Sequence, residues 1–208
     1  MKRRTCLSIV ACGIAISLLA ANPAYSSQAD VGQMAPGFDA VDASGKHRTL
    51  DEFKGKIVVL EWTSPACPFV RAQYAGGSMQ GLQKWAVDKG MVWLSVLSTN
   101  PARSDYLEPA QALAMSQNRK AVPTALLLDP SGQMGHAYGA RNTPQMFVIA
   151  ANGQIAYSGA IDSQATTDET VVPHSRNLVR AALDDLMANR KVATPHTAPY
   201  GCLVGYTG

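Results

Sequence analysis

Two residues in this chain sit where their side chains can do redox or acid–base chemistry. Cys67 lies in Glu61-Trp62-Thr63-Ser64-Pro65-Ala66-Cys67-Pro68, where an apolar run of strand length gives way to a helix that Pro68 opens. A thiol at that junction faces unpaired amide N–H groups and the positive end of the helix dipole, and both favour thiolate over thiol. The thiolate is the nucleophile, and the loops at the carboxyl ends of strands are where open α/β sheets bind ligands. A free cysteine more often serves as a small buried hydrophobe. Position and Pro68 together favour reactivity here.

Glu61 is the second residue, a carboxylate in an otherwise apolar strand. Burial would hold its proton, and a raised pKa suits a proton acceptor near the thiol. At a strand end in solvent it would have no such part.

Cys202, in the run Pro199-Tyr200-Gly201-Cys202, lies in a tail with little helix or strand signal. Three outcomes stay open for it. A mobile tail brings it to Cys67 as a resolving thiol, so that a sulfenate on Cys67 ends as a disulfide. A permanent disulfide pins the tail, a closure worth about 4–5 kcal/mol in the chain-entropy model. Or the two thiols stay apart. The other two cysteines, Cys6 and Cys12, fall in the leader described next.

Residues 1–26 read as a secretory signal peptide. Lys2-Arg3-Arg4 forms the basic start, Leu7 to Ala21 the apolar stretch, and Ala24-Tyr25-Ser26 the cleavage site. The stretch is short for a membrane span, which takes about 20 apolar residues. Arg3-Arg4 loosely matches a twin-arginine signal, and Sec and twin-arginine export both stay open. Cys12 loosely matches a lipoprotein box, but the apolar stretch runs on past it. The expected address is exported and periplasmic, where two thiols can pair.

Of 208 residues, 47% are hydrophobic and 16% charged. That is enough for a core and rules out a disordered chain. The net charge of +3 comes from the leader: removing Lys2, Arg3 and Arg4 from eighteen basic residues leaves them equal in number to the fifteen acidic ones. A neutral body carries no electrostatic footprint for nucleic acid or for a membrane after signal cleavage. There is no CxxC, and His47, His136, His174 and His196 share no ligand spacing, so neither metal nor cofactor is expected. No phosphate loop, dinucleotide fingerprint or Ser-His-Asp arrangement is present.

The elements that must position these residues form an α/β pattern. A turn-rich start over 27–55 predicts a short hairpin near Phe38 to Val41. Buried strands follow at 56–60, 91–97 and 124–128. Pro68 opens a helix that Gly76-Gly77 interrupts, and Ser78 is expected to cap a second piece ending at Gly90. Glu108 to Asn118 reads as a helix with Ala110, Leu113 and Ala114 inward. Asn152-Gly153 predicts a hairpin of 146–150 with 154–158, and 175–190 is an amphipathic helix carrying Val179, Ala182, Leu183 and Leu186 on one stripe. Trp62, Trp85 and Trp93 are expected in the core.

The segment from Glu61 to Val70 resembles the active-site stretch of the thioredoxin superfamily, and Asn142-Thr143-Pro144-Gln145-Met146-Phe147 resembles its cis-proline loop and following strand. With Ala35-Pro36-Gly37-Phe38 and the Tyr200-Gly201-Cys202 ending, the chain is similar to the redoxin branch, of alkyl hydroperoxide reductase/thiol-specific antioxidant type, over nearly all of 33–206. The resemblance implies a thioredoxin fold: a central mixed β-sheet flanked by helices, with an N-terminal β extension. The domain spans 27–190 and the tail 191–208. It implies Cys67 as attacking cysteine, Glu61 as buried proton acceptor, Ser64 as the hydroxyl that holds peroxide, and Thr143-Pro144 as the pair that takes a substrate backbone. Pro123-Thr124 competes for that match, but the hairpin and closing helix follow Pro144. An arginine beside the thiol is implied, with Arg71 and Arg141 both open. Val70 stands where thioredoxins carry their second cysteine, and Leu60 where typical peroxiredoxins carry proline. A copper-binding variant would want a cysteine at Arg71.

The implied activity is that of a thiol-based oxidoreductase. Three readings are open: peroxide reduction driven by an external thiol reductant, thiol–disulfide exchange with a protein disulfide substrate, or a redox-inert binding module with a structural disulfide.

Overall fold

The computed structural model describes residues 29–207, so the leader expected over 1–26 lies outside the described residues. Among the described residues no helix is long and apolar enough to cross a membrane. The turn-rich start forms a hairpin, β1 (Asp39–Asp42) with β2 (His47–Thr49). Next comes β3 (Val58–Trp62), which runs past its apolar stretch because Glu61 and Trp62 both find buried hydrogen-bond partners. There follow α1 (Pro68–Ala75), α2 (Ser78–Asp88), β4 (Val92–Leu97), α3 (Pro109–Asn118) and β5 (Ala125–Leu128). The chain continues through α4 (Gln133–Tyr138), β6 (Asn142–Thr143), β7 (Gln145–Ile149), β8 (Ile155–Gly159), α5 (Leu178–Met187) and β9 (Cys202–Leu203).

Seven strands make one sheet in the order β2-β1-β5-β4-β3-β7-β8, with β3, β4 and β5 parallel and the outer pairs antiparallel. This is the mixed sheet of a thioredoxin fold. Side chains alternate across β3. Leu60 and Trp62 enter one layer with Leu94, Leu127 and Phe147, covered by Tyr138 of α4. Val59 and Glu61 enter the other, with Trp93 and Met146 beneath α1, α2 and α5.

Helix α4 had no expectation of its own; the Asp129 carboxylate starts it by accepting the amides of Met134 at 3.2 Å and Gly135 at 2.9 Å. Four local expectations are corrected. Gly77, at φ 76°, caps α2 in place of Ser78. In α3 Leu113 packs inward as expected, but its fully buried companion is Ala112, with Ala110 and Ala114 exposed. The tail, expected to lack strand structure, carries β9, which pairs antiparallel with β6. Trp62 and Trp93 are buried as expected, whereas Trp85 is half-buried under the Arg180 guanidinium at 3.6 Å.

Candidate functional site

Cys67 is the N-cap residue of α1 and Pro68 takes the first helical position, as the sequence pattern requires. The thiol is 1% exposed. It meets the Thr143 side of the Thr143–Pro144 peptide, which is cis, and in its protonated form donates to the Thr143 carbonyl at 3.0 Å. Strand β9 lays Cys202 directly opposite Thr143 in the β6–β9 register, which packs it against the cluster that holds Cys67, and both are free thiols.

Their proton affinities are pushed apart. Burial by itself pushes the Cys67 thiol up. The Cys202 thiol, Thr143 and the amides of Val70 and Cys202 favour the anion more strongly, and the net direction is down from the ordinary 9.0. Cys202 moves the other way. Burial and the neighbouring Cys67 sulfur push it to about 12, with Arg71 opposing. Of the pair, Cys67 is the group that ionises first, and Cys202 is held as the proton-bearing partner.

Glu61 is completely buried, and its carboxylate accepts four hydrogen bonds. Tyr74 Oη lies 2.8 Å from Oε1; Trp93 Nε1, Ser95 Oγ and Gln83 Nε2 lie 2.8, 2.9 and 3.0 Å from Oε2. Burial raises its pKa, and the four donors reduce that shift without reversing it. None of the four is the thiol. The connection runs along α1, because Tyr74 is two helical turns beyond Cys67. The Arg119 guanidinium covers the Tyr74 ring at 5.1 Å and donates through Nη2 to the carbonyls of Ser64 and Pro65, each at 3.2 Å. Its other terminal nitrogen, Nη1, is buried without a partner among the described residues.

The sequence-predicted residues divide accordingly. Cys67, Cys202, Thr143 and Pro144 are brought together. Ser64 is in the loop just before the thiol, its hydroxyl accepting the Ala66 amide at 3.3 Å. Arg71 lies on the exposed side of α1, donates to the Ala66 carbonyl at 3.4 Å, and acts electrostatically on Cys202. Arg141 is exposed and contributes a backbone carbonyl to Val204 of the tail at 2.9 Å. Sequence reasoning missed Arg119, Tyr74, Gln83 and Ser95. Tyr74 had a usable signal, its spacing of seven from Cys67, which returns it to the same helical face. Arg119 had none, since it arrives from the end of α3.

Of the three outcomes open for the tail, neither a mobile arm nor a disulfide pin is seen: it is docked, with both thiols free. The Pro195 carbonyl accepts from the Ser158 amide at 3.0 Å, and the Thr197 amide donates to the Ser158 carbonyl at 3.1 Å. Tyr200 Oη donates to the buried Asp162 at 2.6 Å, and Tyr206 Oη to the Ala140 carbonyl at 2.7 Å. Cys202 is fixed from both sides.

Comparison with known proteins bears on the family and the fold. Residues 31–158 match the AhpC/TSA family. An uncharacterized conserved protein of Geobacillus kaustophilus superposes with a TM-score of 0.74 at 20% identity, covering 86% of this chain and 93% of its own. A hypothetical protein of Sinorhizobium meliloti gives 0.71 at 23%, covering 86% and 96%. A putative thiol:disulfide interchange protein DsbE of Chlorobium tepidum gives 0.50 at 24%, covering 62% and 84%. These likenesses carry the fold. No curated protein matches.

Proposed function

The chain belongs to the AhpC/TSA family, and from that premise we propose that it is an exported, periplasmic thiol-dependent peroxidase with Cys67 as nucleophile and Cys202 as resolving thiol. The observation that carries the reading is the placement of two free thiols on the two sides of Thr143, Cys67 on a helix N-cap donating to its carbonyl and Cys202 on the strand docked opposite it. The Cys67 thiolate attacks one peroxide oxygen, the O–O bond breaks, and Cys67 becomes a sulfenic acid. The departing oxygen takes a proton and leaves as water or alcohol. Cys202, already alongside, then attacks the sulfenic sulfur, a disulfide forms and the hydroxyl leaves as water. An external thiol reductant returns both to thiols.

The amides of Val70 and Cys202 support the anion in the first step. Ser64 is the hydroxyl nearest in sequence for the peroxide, and Arg119 supplies the positive charge behind its loop, a part assigned in the sequence reading to Arg71 or Arg141. Glu61 acts below the site through Tyr74. One observation favours the second reading, exchange with protein disulfides: the cis Thr143–Pro144 peptide is beside the thiol, on an edge that accepts a paired strand, here that of the chain's own tail.

The test is hydrogen peroxide consumption driven by dithiothreitol. Loss of consumption in Cys67→Ser, with a sulfenic acid trapped on Cys67 in Cys202→Ser, is the expected result. Consumption that persists in Cys67→Ser overturns the peroxidase.

A further inference from the structure

The backbone edge that a protein substrate would use is already occupied. Both residues of β6 pair with β9, Asn142 with Leu203 and Thr143 with Cys202, so Thr143 has its own tail where an incoming strand would lie. The fit is specific to this sequence. Gly201 has φ 108°, and a Cβ there would collide with the Thr143 carbonyl oxygen and press on Pro144. Tyr200 packs on Phe69 with ring centroids 5.7 Å apart. Its hydroxyl shares the buried Asp162 carboxylate with Gln73, whose Nε2 lies 2.6 Å from Oδ2. On the far side, the Tyr206 ring stacks on His136 at 4.1 Å, and the Asn100 amide donates to the Gly205 carbonyl at 2.8 Å. Residues 199–204 carry no charge, and they leave Cys67 only 1% exposed.

We propose that residues 199–203 are a tethered occupant of the groove in which an extended, cysteine-bearing peptide would pair with Thr143, so that the docked tail closes Cys67 to protein disulfides and leaves it to oxidants as small as a peroxide. The proposal rests on Cys67 being the nucleophile of the proposed function, and it specifies which of that site's two substrate classes the folded protein admits. It also defines the segment able to compete for the groove: uncharged, extended, with an aromatic residue and then glycine before its cysteine.

The experiment uses Cys202→Ser as the reference, so that the internal thiol cannot intercept the products. The peptide Ala-Pro-Tyr-Gly-Cys-Leu-Val-Gly is supplied with its cysteine as a mixed disulfide with thionitrobenzoate. The Cys67 thiolate attacks the peptide sulfur and a Cys67–peptide disulfide forms. Thionitrobenzoate leaves with the electron pair, coloured and countable, and the Cys67 proton passes to solvent. The second rate is that of sulfenic acid formation with hydrogen peroxide. Adding Gly201→Ala, which forces the tail off Thr143, is expected to raise the ratio of peptide rate to peroxide rate at least tenfold. Ending the chain after Ala198 vacates the groove outright and should give the same rise. An unchanged ratio in the shortened chain overturns the proposal while leaving the nucleophile intact. Inertness of Cys67 to both reagents in all three proteins overturns the nucleophile itself, and the proposal with it.

Discussion

The two faces of the central sheet meet along β3, and they solve different problems with adjacent residues. Beneath Leu60 and Trp62 the core is aromatic: Trp62 meets Tyr138 at 5.4 Å and Phe147 at 5.3 Å, the latter edge-on. Beneath Glu61, one position along, the core holds a carboxylate with four donors, a half-buried guanidinium and, at the end of the strand, the thiol pair. Both faces are packed with apolar side chains, and the Glu61 face carries in addition a carboxylate held by hydrogen-bond direction. A polar network in a low-dielectric interior is stable only when it is satisfied, and it then holds proton affinities away from their values in water. The apolar packing on both faces supplies the stability that lets the sheet keep such groups.

That division predicts separable effects. Phe147→Ala opens a cavity in the aromatic layer and should cost about 3–5 kcal/mol in urea unfolding, with the pH dependence of Cys67 alkylation unmoved. A shift in that pH dependence would show the two faces to be coupled. Arg119→Met should cost less, about 1–3 kcal/mol, because Ser64 and Pro65 lose their donor. It should also slow peroxide reduction about tenfold or more, since a fixed charge behind the loop is removed. An unchanged rate refutes the part assigned to Arg119. Tyr74→Phe removes one of the four donors to Glu61, a loss of about 1 kcal/mol, and should raise the carboxyl's proton affinity further, as infrared titration of the protonated carboxyl would reveal.

Glu61→Gln should have the smallest effect on stability, and that effect should depend on pH. Burial sets the folded pKa of Glu61 above its unfolded value, so the stability it contributes is present at acid pH and is lost as pH rises through the folded value. Glutamine does not ionise. The variant should therefore match the wild type at low pH and gain on it as pH rises. A gap that closes with rising pH would contradict the direction of the Glu61 shift.

How much of this could be read from the sequence followed from the range of each interaction. The central strands, the helix opened by Pro68 and the Asn152-Gly153 hairpin depend on neighbours in the chain, and they form as expected. Helix α4 escaped because its start depends on the Asp129 side chain, and the glycine at 135 weakens its helical pattern. At the site, Cys67 and Glu61 stood out by type and position, and Thr143-Pro144 through the family resemblance. Arg119 and Asp162 did not, because each reaches its partner only after distant elements pack. Strand β9 is two residues long and owes its form entirely to the β6 edge, so no periodicity could announce it.

The ionisation of Cys67 tests the account most directly. Ultraviolet thiolate absorbance across pH, taken as the difference between wild type and Cys67→Ser, reads it without requiring a reagent to enter a buried site. The account predicts a midpoint below 9.0, with Cys202 still protonated there. A Cys67 midpoint above that value, or Cys202 ionising first, would contradict it.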